Sequence, residues 1–306
     1  MKFYYFNSTH WDREWYQPFQ QYRKYLLDTM ERLLNTLEEN PQFEKFTFDG
    51  QTIVLEDTVE VRPDWKERLK NQISAGRLNV GPWYVMPDEF LVSGEALIRN
   101  LLTGHEMAEE YGEAAWPTGY LCDMFGHIAQ MPQILKGFDI NTVVAWRGFS
   151  RENPPFLRWK APDGSECNLI RLFPAGGYSD FTLYCSGWTA LKHKESEFKE
   201  RFSKYVERVK EYFGDSIILS DALDHTYVHT DVPDMLRWIK DLYPDAEIIH
   251  TDYVDLPEFD DPDALPRISG EQINTCDDLE KSLAWQIPYT LSSRYDLKYA
   301  NDKLQN

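Results

Sequence analysis

Between residues 2 and 249, short apolar runs alternate with stretches of helical period. That alternation restricts the chain to a mostly parallel sheet covered by helices, open or closed into a barrel. Lys2-Phe-Tyr-Tyr-Phe6 reads as a buried strand, and Tyr22, Leu26, Met30, Leu33 and Leu37 then repeat at helical spacing. Further strands are expected at 46–48, 78–80, 118–122, 142–146, 216–220 and 246–249. Helices are expected from Pro63 to Gly76, at about 95–111, from Pro132 to Lys136 and over about 190–212. A hairpin of 156–160 with 167–173 is turned by Asp163-Gly164.

In sheets of this kind, polar residues at the carboxyl ends of strands face the ligand crevice. His10, Asp12, Asp123, Arg147 and Asp224 all stand at such ends. Residues two apart in an extended segment point the same way, so His10 and Asp12 leave the first strand side by side. An imidazole with a carboxylate is a good partial shell for zinc. Each residue also has a plainer use. His10 and Asp12 could be a solvated pair at a strand end, Asp123 could cap the helix that follows, and Asp224-His225 could be a turn. Arg147 could serve as a structural ion-pair partner, and Trp15 and Tyr178 could be core aromatics. His127 reads as packing or support for Asp123 rather than as a ligand, and Asp88 and Glu89 suit either a pocket wall or a helix cap.

Composition narrows the partners. The 306 residues carry a formal charge of −19, which disfavours nucleic acid and anionic membranes. No apolar stretch is long enough to span a bilayer, and no leader is expected ahead of the first strand. The four cysteines, Cys122, Cys167, Cys185 and Cys276, are scattered without Cys-x-x-Cys spacing, so they are expected to be reduced and the protein cytoplasmic. Aromatic residues make up 15% of the chain, enough to supply stacking surfaces for sugar rings as well as core.

Three blocks resemble the family 38 glycoside hydrolases, the retaining α-mannosidases. They are His10-Trp-Asp-Arg-Glu-Trp15, Gly81-Pro-Trp-Tyr-Val-Met-Pro-Asp-Glu89 and Gly119-Tyr-Leu-Cys-Asp-Met-Phe-Gly-His127. Trp159-Lys-Ala-Pro-Asp-Gly-Ser165 and Leu291-Ser-Ser-Arg-Tyr-Asp-Leu-Lys298 look like further segments of the bacterial members. The resemblance implies a seven-stranded β/α barrel over residues 1–268. It further implies the start of a three-helix bundle over 269–306, in a chain that looks truncated. It makes His10, Asp12 and Asp123 zinc ligands, Asp123 also the nucleophile, and Asp224 the general acid/base. It places Trp15, Arg147 and Tyr178 against a mannose-containing oligosaccharide or glycoside. Ala222 and Leu223 depart from the family pattern around the acid/base. The fourth zinc ligand implied by the family is a histidine from a later segment, so this chain alone is expected to be weakly active or inactive. Two other functions fit the same strand-end residues: a metal-dependent carbohydrate deacetylase, and a carbohydrate-binding remnant without chemistry.

Overall fold

A computed structural model describes residues 1–305 apart from 113, 151, 187–191, 255, 257–258 and 275–290. The first strand, β1 (Lys2–Asn7), is central because its apolar side chains are buried on both faces. β2 (Phe46–Thr47) and β3 (Leu78–Asn79) are short, whereas β4 (Thr118–Leu121) and β5 (Thr142–Ala145) are wholly buried. β6 (Phe156–Lys160) and β7 (Glu166–Arg171) form the expected antiparallel hairpin. β8 (Ser216–Asp221), β9 (Glu247–His250) and β10 (Arg267–Ser269) complete the strands. Apart from the hairpin, every strand pair is parallel.

Helices cover these strands. In α1 (Phe19–Glu39) the expected stripe of Tyr22, Leu26, Met30, Leu33 and Leu37 is buried. α2 (Ile53–Val59) was not expected; α3 (Lys66–Ser74) follows a short turn opened by Pro63. Ser93 caps α4 (Gly94–Glu110) by accepting the amide of Ala96 at 3.1 Å, so neither Asp88 nor Glu89 is that cap. Gly104 within α4 has a packing reason: a Cβ there would lie 2.1 Å from the Pro82 carbonyl oxygen. α5 (Met131–Lys136), α6 (Glu195–Phe213), α7 (Val232–Leu242) and α8 (Tyr295–Gln305) follow in order.

The architecture is mixed α/β, as expected, but the hydrogen-bonded ladders do not form the expected single closed barrel among the described residues. They fall into three sheets with orders β8-β1-β9, β10-β6-β7-β5-β4 and β2-β3. An isolated bridge between Ser8 and Thr47 ties the first sheet to the last. The expected boundary at 268/269 falls inside β10, which pairs with β6. Beyond it, Gln272 and Asn274 still bridge to His127 and Gly148. No helical bundle is seen among the described residues, where α8 is a single, largely exposed helix. Cys122, Cys167 and Cys185 are buried free thiols, and Cys276 lies outside the described residues. No helix is long and apolar enough to cross a membrane.

Candidate active site and metal centre

Parallel register brings the site together. β1 faces β8 with a constant offset of 214 positions, and the bridge between His10 and Asp224 extends that offset past both strand ends. The amide of His10 donates to the Leu223 carbonyl at 3.1 Å, and that of His225 to the His10 carbonyl at 2.9 Å. β4 faces β5 with an offset of 24, so Asp123 and Arg147, each two residues past a strand end, are opposite one another. Ser8 faces Thr47 at an offset of 39, which sets Asp49 opposite His10. Three parallel pairings thus deliver His10, Asp49, Asp123, Arg147 and Asp224 to one end of the sheets.

His10 is the hub. Its Nε2 lies 3.5 Å from Oδ1 of Asp12 and 3.7 Å from Oδ2 of Asp123. Its Nδ1 lies 3.1 Å from both oxygens of Asp49. Asp49 is fully buried and also accepts the Trp11 amide and the Gln51 side-chain amide, each at 2.7 Å. Arg147 donates to Asp123 through Nε at 2.8 Å and reaches the same Oδ1 with Nη2 at 2.7 Å, leaving Oδ2 toward His10. The Arg147 guanidinium lies over the rings of Trp146 and Phe125, at 4.0 and 4.7 Å. Tyr178 donates to Oδ1 of Asp224 at 2.6 Å, and its ring sits 5.3 Å from that of His10.

The charges of the site act on one another. Burial is the strongest influence on Asp123 and pushes its carboxyl above the usual range; Arg147 and His10 oppose it, and the charge of Asp224 adds to it. Burial also works to raise Asp12, but the hydrogen bond and charge of His10 outweigh it and hold Asp12 low. Burial works to lower His10, yet the Asp49 charge leads a set of influences that lift it well above its ordinary value. Burial lowers His225, which stacks on Tyr22 at 4.1 Å and touches the Asp12 backbone through Nε2.

A cavity of about 510 Å³ opens beside His10 and Asp12, walled by Trp11, Arg13, Phe19, Gln51 and Met86 among others. Trp15 is at the rim, 63% exposed, with its ring 6.4 Å from that of His225. The His127 Nδ1 sits 2.7 Å from Glu89, both side chains fully buried, so the pair supports the loop after Asp123 instead of lining a pocket. The sequence reading missed Asp49, although it stands past a predicted strand like the residues that were singled out. An imidazole nitrogen facing two carboxylates is a donor set suited to zinc.

A model of the glycosyl hydrolases family 38 N-terminal domain matches residues 1–240. The chain belongs to this family. It is 34% identical to the "Putative mannosylglycerate hydrolase" of Halalkalibacterium halodurans over 98% of its own length and 34% of the relative's. It is 28% identical to α-mannosidase G of Dictyostelium discoideum over 56% of this chain and 16% of that protein. Among solved structures, an α-mannosidase from Enterococcus faecalis V583 superposes with a TM-score of 0.79 at 28% identity, covering 89% of this chain and 31% of the other. The chain therefore spans about a third of the length of its family 38 relative from H. halodurans.

Proposed function

We propose that this chain is the catalytic portion of a retaining, zinc-dependent α-mannosidase that cleaves α-mannosidic bonds in oligosaccharides or small mannosyl conjugates. One observation carries the reading: a single nitrogen of His10 faces Asp12 and Asp123 at 3.5 and 3.7 Å, with Asp224 bridged to the same residue. His10, Asp12 and Asp123 would hold the zinc, which when bound neutralises charge and grips sugar hydroxyls. Asp123, held through Oδ1 by Arg147, is the nucleophile. Asp224, gripped by Tyr178, donates a proton to the leaving oxygen and then takes one from water. Retention requires two carboxyl groups about 5–5.5 Å apart. The charge of Asp224 is felt at Asp123, as suits two carboxyl groups that act on one bond. Trp15 offers an aromatic face at the rim.

The names of the relatives favour mannosyl substrates, mannosylglycerate among them. A fourth zinc ligand from outside these residues would tighten the site, so the chain alone is expected to bind zinc weakly and turn over slowly. A reducing cytoplasm suits the three buried thiols.

The test is to trap the glycosyl-enzyme with a 5-fluoromannosyl fluoride and map the adduct by mass spectrometry. Trapping needs only the first half-reaction, so it also reads a slow enzyme. A mannosyl adduct on Asp123 is expected, lost on Asp123→Ala. An adduct on another residue, or release of acetate from acetylated glycans in place of sugar, overturns the assignment.

A further inference from the structure

We infer that Asp49 is the positioning residue of this centre, locking His10 in the tautomer that presents Nε2 to a cation between Asp12 and Asp123. The inference rests on the metal-dependent reading of the site. It begins with the backbone. Asp49 has φ 53 and Gly50 φ 65, so two successive residues occupy the left-handed region. That region is uncommon for a residue other than glycine, and such strain clusters where function needs it. The turn aims the Asp49 carboxylate inward, where it is wholly buried under His10.

Its acceptor capacity is then largely spoken for. Oδ2 takes the Trp11 amide and Gln51 Nε2 at 2.7 Å each, and both oxygens lie 3.1 Å from His10 Nδ1. A neutral imidazole has one N–H, and a buried carboxylate at Nδ1 places it there. Nε2 is left with a lone pair facing the carboxylates of Asp12 and Asp123. In that neutral form the lone pair and the two carboxylates offer a cation a donor set suited to zinc.

The opposite face of His10 offers a rival. Nδ1, Asp49 and Cys122 Sγ lie within 4.8 Å of one another and could in principle hold an ion. Two features weigh against it. Asp49 already satisfies two other donors, and the Cys122 thiol stands toward it as a third, 3.6 Å from Oδ1.

The experiment compares wild type with Asp49→Asn. Asparagine tolerates the left-handed backbone, and its oxygen can serve Trp11 and Gln51. Its NH2 then faces Nδ1 and enforces the opposite tautomer. Chelator competition is expected to show zinc binding weakened about 10–100-fold. At alkaline pH, 15N NMR of the metal-free proteins is expected to show the His10 proton on Nδ1 in wild type and on Nε2 in the variant. Melting curves of the metal-free proteins check that both fold. Zinc affinity within about threefold of wild type, well short of that loss, overturns the inference. So does an unchanged tautomer, or a thiolate charge-transfer band in the cobalt-loaded wild type that vanishes in Cys122→Ser. A wild-type protein that binds neither ion overturns the metal reading itself, and the NMR comparison still decides the role of Asp49.

Discussion

Asp123 has two oxygens with different neighbours. Arg147 spends two donors on Oδ1, while Oδ2 looks toward His10. A planar guanidinium can make that double contact and also lie over Trp146, whereas a lysine ammonium can do neither as well. Arg147→Lys keeps the charge and loses the grip. Hydrogen bonds to charged groups are worth about 1.5–3 kcal/mol, so kcat/KM for an α-mannoside should fall roughly ten- to a hundredfold. Zinc content should be unchanged, and steady-state kinetics beside metal analysis checks both. The same scale shows what a sequence can reveal. His10, Asp12, Asp123, Arg147 and Asp224 were legible because each polar residue follows an apolar run. Asp49 obeys the same rule after Phe46-Thr-Phe48, but Asp49-Gly50 also has the form of an ordinary turn, and only the contact with His10 separates the two. The partners of Glu89 and His127 could not be read either, since 38 residues separate them and no periodicity links them.

At the scale of elements, strands and long helices were legible because burial imposes their period, as in α1 and β8. Two short elements were not. α2 opens with three consecutive apolar residues and is too brief to show a helical stripe, and β10 has only three residues. Pairing was also beyond reach, because register is a long-range property. β8 illustrates what pairing adds. Its last residue, Asp221, accepts the Tyr5 hydroxyl of β1 at 2.6 Å and the Thr182 hydroxyl at 2.7 Å, with His229 Nδ1 at 3.5 Å. Burial works to raise Asp221, but His229 and these hydrogen bonds outweigh it and hold it low. His229 is raised despite burial, chiefly by the Asp221 charge. A lowered acid stabilises the fold above its unfolded pKa of about 3.9, and that stability is lost as pH falls through the folded value. A raised histidine stabilises fully below about 6.5, and that stability is lost as pH rises through its folded value. The pair therefore contributes most between those limits. Asp221→Asn should destabilise by about 3–5 kcal/mol near pH 5.5, where a buried partner is left alone, and by less below pH 4. Denaturant melts across pH check this; an equal loss at every pH would place the effect in packing alone.

For the whole molecule, charge is the dominant feature. Acidic residues number 51 against 32 basic ones, and the formal net charge is −19. Self-repulsion on that scale works against the compact state, since unfolding separates the charges. Salt acts in two opposing directions. It weakens ion pairs, but pairs such as Glu200–Lys204 and Asp234–Arg237 are well exposed and contribute little to begin with. The tighter contacts that assemble the site, such as Arg147 to Asp123, are sheltered from ions by burial of the arginine. Salt also screens the net repulsion, whose range at low ionic strength exceeds the spacing of surface carboxylates; the Debye length is about 30 Å at 0.01 M and about 10 Å at 0.1 M. The repulsive sum is the larger, so sodium chloride should stabilise the fold. The melting temperature is expected to rise by roughly 2–4 °C between about 0.01 and 0.3 M, the shift that about 1 kcal/mol produces in a large domain. Scanning calorimetry at fixed pH measures it directly. A melting temperature that falls with salt would mean that specific ion pairs, not net charge, govern the stability of this chain.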